Sequence, residues 1–234
     1  MGDEPKKEDA AVFEALAAGI AHEVRNPLNA LQINLGILEQ EISEIVPGRS
    51  GHVFEVIRRI AGELHRLDNF VTEFLRFARP PRPTLEALAV RPLLDDLVTF
   101  IAPECARKGV ALSLRSAGGP DTLLADRFQL KHAVLNLVLN ALQATPAGGE
   151  IVVEAGGAGR AVEIVVRDTG EGMPEEVLAR AFDAFFTTRD GGTGFGLPIA
   201  RRIAEGHGGT LLLTSRAGEG TAATLSLPAA PAEP

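Results

Sequence analysis

The chain has 234 residues, comfortable for two domains, and its 45% hydrophobic and 23% charged residues are the balance of a soluble globular protein. A net charge of −8 and the absence of Tyr and Trp argue against nucleic acid as a partner, whether through charge attraction or base stacking. The single cysteine, Cys105, excludes an intrachain disulfide; no apolar run approaches the ~18–20 residues of a membrane span, and the charged N-terminus lacks a signal core, so the expected location is cytoplasmic.

Two helical patterns come first. Val12, Leu16, Ile20, Val24, Leu28, Leu31, Leu35, Leu38, Ile42 and Ile45 step by threes and fours. Val53, Ile57, Ile60, Leu64, Leu67, Val71, Phe74 and Ala78 alternate steps of four and three, a heptad pattern. Pro47-Gly48-Arg49-Ser50-Gly51 between them reads as a turn. The first helix would run roughly 35 residues, or about 50 Å. One antiparallel hairpin cannot cover both stripes, whereas two copies in a four-helix bundle can, so a homodimer is expected.

Arg79-Pro80-Pro81-Arg82-Pro83 ends the second helix, because proline removes donors and disfavours helix before it. Beyond this linker, strands and helices mix. The patterns predict a strand over Leu88–Val90, a helix over Pro92–Lys108 closed by Gly109, and strands over Val110–Leu114 and Thr122–Ala125. A helix follows over Arg127–Ala144, then β-branched runs at Ile151–Ala155 and Val162–Arg167 around a Gly156–Gly159 turn. Gly194–Glu205 reads as a helix, and Thr210–Ser215 and Thr221–Leu227 as the last strands. The pattern predicts an α+β two-layer sandwich, with helices on one face of a sheet. Expected boundaries are 8–79 for the hairpin, 80–84 for the linker, 85–228 for the second domain and 229–234 for a disordered tail.

Two clusters carry chemistry. Asp168-Thr169-Gly170-Glu171-Gly172-Met173 joins a carboxylate to two glycines, and Gly192-Thr193-Gly194-Phe195-Gly196-Leu197 precedes a helix. Glycine lets backbone approach a ligand without a Cβ, and a helix N-terminus presents N–H groups to phosphate. No Gly-Lys-Ser/Thr follows, so this is not a Walker loop. Upstream, His22-Glu23-Val24-Arg25-Asn26-Pro27-Leu28 offers an imidazole able to receive a phosphoryl group. A donor site and an acceptor site on one chain point to phosphoryl transfer.

Together these stretches resemble the catalytic core of a two-component sensor histidine kinase. His22–Leu28 resembles the phosphoacceptor box and Asn136-Leu137-Val138-Leu139-Asn140-Ala141 the N box. Asp168–Met173 and Gly192–Leu197 resemble the two glycine boxes, Phe182-Asp183-Ala184-Phe185-Phe186-Thr187-Thr188-Arg189 the F box, and Gly218-Glu219-Gly220-Thr221 a late glycine turn. The boxes occur in family order over about residues 10–228. The details are most similar to the nitrogen-regulation-like branch, although the frequent Lys and aromatic residue after the second N-box Asn are absent. The resemblance implies a helical phosphotransfer hairpin followed by a Bergerat-type ATP-binding sandwich.

It also implies roles. His22 would be the phosphoacceptor, Glu23 the base on its ring, and Asn26, one helical turn on, the group that positions water for dephosphorylating a partner. Asn140 would be a Mg²⁺ ligand with Asn136 beside it. Related gyrase, chaperone and mismatch-repair ATPases place a Glu where Asn136 stands; an amide cannot act as that base, which favours transfer over hydrolysis. Asp168 would accept from the adenine amine, with Gly170 and Gly172 admitting the base. Thr187, Thr188, Arg189, Gly192, Thr193, Gly194, Phe195, Gly196, Leu197 and Thr221 complete the expected ATP contacts. The implied partner is a response-regulator receiver domain carrying the acceptor aspartate. A competing reading is a signalling module that binds ATP but acts mainly as a phosphatase or scaffold.

Overall fold

The computed structural model describes residues 24, 26–40, 42, 51–78, 82–119, 121–158, 161–189 and 192–230. The chain divides into two compact units, Met1–Pro80 with Arg189–Thr193, and Pro81–Thr188 with Gly194–Pro234.

The first unit is helical, with α1 over 26–40 and α2 over Gly51–Ala78. Gly51 opens α2; the rest of the expected turn lies outside the described residues. Leu28 on α1 is buried, as are Ile57, Leu64, Val71 and Ala78 on α2. The four α2 positions are seven apart, one line of the heptad. The alternate line, Val53, Ile60 and Leu67, remains exposed, as do Leu31 and Leu38 on α1. The segment Arg189–Thr193 groups with this unit, where the Thr193 hydroxyl donates to the Glu73 carboxylate.

The second unit is a two-layer α+β sandwich. Its sheet runs β2 (Ala111–Gly118), β4 (Glu150–Ala158), β5 (Ala161–Asp168), β7 (Gly220–Pro228), β6 (Thr210–Arg216). Only the β2–β4 pair is parallel. A separate antiparallel ribbon pairs β1 (Glu86–Ala89) with β3 (Thr122–Ala125). Alternation sends Val162, Ile164 and Val166 of β5 inward, opposite Leu227, Leu225 and Ala223 of β7. Helices α3 (Val90–Lys108), α4 (Arg127–Ala144) and α6 (Gly196–Gly206) cover that face with Leu94, Leu97, Leu130, Val134, Val138 and Ala200, all buried.

Several boundaries shift for local reasons. The ribbon keeps Ala89 in strand register with Thr122, and Val90 N–H then donates to Asp121, so α3 starts at Val90 with Pro92 in its first turn. Helix α6 begins at Gly196 because Gly194 has φ +73°, outside helical space. The short helix α5 (Glu175–Leu178) follows Pro174 and carries no apolar periodicity long enough to announce it. Of the tail expected over 229–234, Ala229 and Ala230 are described and the rest lies outside the described residues. Ala229 bridges to Leu123, and Ala230 N–H donates to Thr122 at 2.9 Å, extending the β1–β3 ribbon. No helix among the described residues is long and apolar enough to cross a membrane.

Candidate functional site

The site is built on the end of β5 and the second half of α4. Strand alternation that buries Val162, Ile164 and Val166 also turns Asp168 inward, and its side chain is buried. A buried carboxylate needs donors. Asp168 Oδ1 accepts from Gly170 N–H at 2.8 Å and Thr221 N–H at 3.2 Å, which orients the group at the sheet end.

The loop after Asp168 is tied on three sides. Thr169 N–H donates to the Glu150 carbonyl, and Glu150 N–H donates to Thr169 Oγ1 at 2.9 Å. Glu171 N–H donates to the Ala144 carbonyl at the end of α4, and Gly218 N–H donates to the Glu171 carbonyl at 2.7 Å. Met173 N–H donates to Ser215 Oγ at 2.8 Å. Glycine is required in this path. A Cβ on Gly170 would stand 2.6 Å from the Ala144 carbonyl oxygen. At Gly172, with φ +62°, it would stand 1.9 Å from the Arg216 carbonyl oxygen. Loop, helix end and strand turn therefore form one preformed wall.

Helix α4 is anchored at both ends. Asp126 caps its N-terminus, Oδ1 accepting from Phe128 N–H and Gln129 N–H, each at 3.0 Å. An α-helix leaves its last four carbonyls without internal partners. Here Thr145 takes that of Ala141, Lys108 Nζ donates to Leu142 and Gln143 at 2.6 and 3.0 Å, and Glu171 takes Ala144. Asn136 and Asn140 share one face of this fixed helix. Asn136 is buried, and its Nδ2 has no hydrogen-bond partner among the described residues, the kind of orphaned donor a bound ligand satisfies. A Cβ on Gly196 would approach Asn140 Nδ2 to 3.4 Å, so the N-terminus of α6 lies against Asn140.

The structure therefore brings Asn136, Asn140, Asp168, Gly170, Gly172, Gly196 and Thr221 into one unit. Thr221 pairs with Asp168 across β5–β7, and its hydroxyl bonds Ser215 Oγ at 2.8 Å. Leu197 lies half-buried in the first turn of α6. The Phe195 ring is wholly buried, edge-on to Phe185 at 4.9 Å. Gly194 must be glycine, since a Cβ would stand 2.6 Å from the Phe185 carbonyl carbon. Thr187 and Thr188 are exposed, whereas Arg189, Gly192 and Thr193 group with the helical unit. Asn26 is an exposed residue of α1; His22 and Glu23 lie outside the described residues.

Sequence reading gave Thr169 no role within its glycine box and missed Ser215 and Lys108, which belong to no motif. Ser215 sits in a β-run and Lys108 in the last turn of α3, and each matters only through the element folded beside it.

Comparison with known proteins places both units in known domain families. Residues 14–83 match the His Kinase A (phospho-acceptor) domain, and residues 125–231 match the histidine kinase-, DNA gyrase B-, and HSP90-like ATPase family. A phospho-acceptor domain followed by this ATPase domain is the core of a two-component sensor histidine kinase, and this chain is such a core. It is 34% identical over 229 residues to the sensor histidine kinase ZraS of Escherichia coli (strain K12), covering 97% of this chain and 48% of that one. The chain thus spans about half the length of that curated relative. Full-length ShkA, solved in complex with AMPPNP, superposes with a TM-score of 0.79 at 25% identity, over 95% of this chain and 47% of ShkA. Histidine kinase ThkA, solved with the response regulator protein TrrA, shares the fold at TM-score 0.68 and 23% identity, over 99% of this chain and 66% of that one.

Proposed function

We propose that the chain autophosphorylates on His22 from ATP and passes the phosphoryl group to an aspartate of a response-regulator receiver domain. The observation that carries the ATP site is Asn136 Nδ2, buried one turn from Asn140 without a partner among the described residues, on a helix whose neighbour α6 begins with a glycine. In this reading Asp168 accepts from the adenine amine. Guanine presents a carbonyl at that position and is disfavoured. Gly170 and Gly172 let the base approach, and the backbone of Gly192 to Gly196, with Thr187, Thr188 and Arg189, receives the phosphates.

Asn140 suits Mg²⁺, because its amide oxygen is a hard ligand and the remaining positions are left for water and phosphate. The ion would offset phosphate charge during transfer. One nitrogen of neutral His22 attacks the γ-phosphorus, the bond to the β,γ-bridging oxygen breaks, and ADP leaves. Glu23 takes the proton that the ring releases. Asn26, on the exposed face of α1, orients water when the same hairpin meets a phosphorylated regulator. The domains of this reading are 8–79 for phosphotransfer and dimerisation, 80–84 for the linker and 85–228 for nucleotide binding, in a cytoplasmic homodimer. The Phe-Phe-Thr-Thr-Arg run, Phe185 to Arg189, supports the nitrogen-regulation-like branch.

Incubation with γ-labelled ATP tests the proposal. Wild-type chain should acquire an acid-labile, alkali-stable label that His22→Ala lacks at unchanged ATP affinity. Label at the wild-type level on that variant would overturn the assignment.

A further inference from the structure

His207 is buried at the C-terminus of α6, outside every motif above. A buried imidazole needs partners for both ring nitrogens. The Asp126 backbone N–H donates to Nε2 at 3.0 Å, so Nε2 is the acceptor. Nδ1 then carries the proton and donates to the Ile203 carbonyl at 2.7 Å. The ring joins the last turn of α6 to the N-cap of α4.

That N-cap is itself a junction. Asp126 Oδ1 holds the first turn of α4, and Oδ2 accepts from Thr84 N–H at 3.0 Å, close to where the chain enters this unit. At the opposite end of the same helix pair, Gly196 of α6 faces Asn140 of α4. The two helices therefore run antiparallel, tied at one end and meeting the ligand groups at the other, about 20 Å away at 1.5 Å per residue. Apolar packing between helices is non-directional. A hydrogen bond tolerates only a few tenths of an ångström, so it adds an axial stop that packing lacks.

We infer that His207 is a positioning residue for nucleotide binding, its neutral imidazole holding α4 and α6 in the register that brings Asn140 and Gly196 together. The inference rests on the nucleotide-site reading above. Through Asp126, the same tie reaches the entering chain at Thr84.

Two amide variants separate positioning from bulk stability. In His207→Gln, the longer amide carbonyl can still accept from Asp126 N–H. In His207→Asn, the shorter amide can still reach Ile203 but not Asp126. Calorimetric titration of each full chain with a non-hydrolysable ATP analogue and Mg²⁺, alongside melting temperatures, reads the difference. His207→Asn should bind about tenfold more weakly than wild type, and His207→Gln within about threefold, at temperatures where both are folded. Equal affinity of His207→Asn and wild type, with only a lower melting temperature, would overturn the inference and leave the nucleotide site standing. Wild-type chain that binds no analogue would overturn the site reading and the inference with it.

Discussion

Asp168 and Gly172 hold the loop after β5 by different means, and each has its own expected failure if that loop receives the base as proposed. Asp168→Asn retains a carbonyl for Gly170 N–H but sets an amide donor toward a donor. A hydrogen bond to a charged acceptor contributes about 1.5–3 kcal/mol, so ADP should bind roughly 10- to 150-fold more weakly in calorimetry. Gly172→Ala meets both a positive φ and the Arg216 carbonyl. The left-handed conformation alone costs about 1–2 kcal/mol for a residue with a Cβ. Thermal unfolding should show a lower midpoint, and nucleotide binding should be lost with the loop path. Asp126 adds a pH dependence. Burial raises its carboxyl, but the N–H donors of Gln129, Thr84 and Phe128 outweigh burial and hold it below the ordinary value. A depressed carboxyl stabilises the fold fully above its unfolded pKa, near 3.9, and that contribution disappears as pH falls through the lower folded value. Urea midpoints of wild type should therefore fall more steeply below about pH 4 than those of Asp126→Asn, whose amide still caps α4. Parallel curves would contradict the carboxylate's role.

At the scale of elements, α2 shows how one heptad serves two surfaces. Ile57, Leu64, Val71 and Ala78 are buried, and Val53, Ile60 and Leu67 are exposed. Leu64→Ala should destabilise the helical unit by about 2–5 kcal/mol, as buried leucine truncations do. Leu67→Glu should leave helicity intact by circular dichroism while weakening self-association in sedimentation equilibrium, because a charge then faces the partner's apolar stripe. An unchanged association constant would remove the exposed line from the dimer interface. The period of α2 was plain in its sequence because both lines are apolar; which line is buried was not, since the two are chemically alike. Helix α4 was legible to the residue, Arg127 to Ala144. Its end is stabilised by Lys108 and Glu171, from distant segments whose arrival no local pattern encodes.

For the whole molecule, Asn26→Ala separates two activities. The variant should label His22 and transfer to the regulator normally, yet remove phosphate from purified phospho-regulator more slowly than wild type. Equal dephosphorylation rates would leave Asn26 a solvated residue of α1. The sequence by itself determined the two-domain class, the helix periods and the strand alternation, and it singled out Asn136, Asn140, Asp168 and the glycines as candidates. These are local signals: an apolar period reports which face is buried, and glycine or a paired amide reports a demand of the backbone or a ligand. Tertiary structure alone decided that Phe195 is core, that Thr193 bonds Glu73, that Ala229 and Ala230 extend a ribbon, and that His207 reads the N-cap of α4. Each of these depends on a partner distant in sequence. A side chain's role there is set by which donors and apolar surfaces folding delivers to it, and that delivery is a property of the packed layers rather than of any one segment.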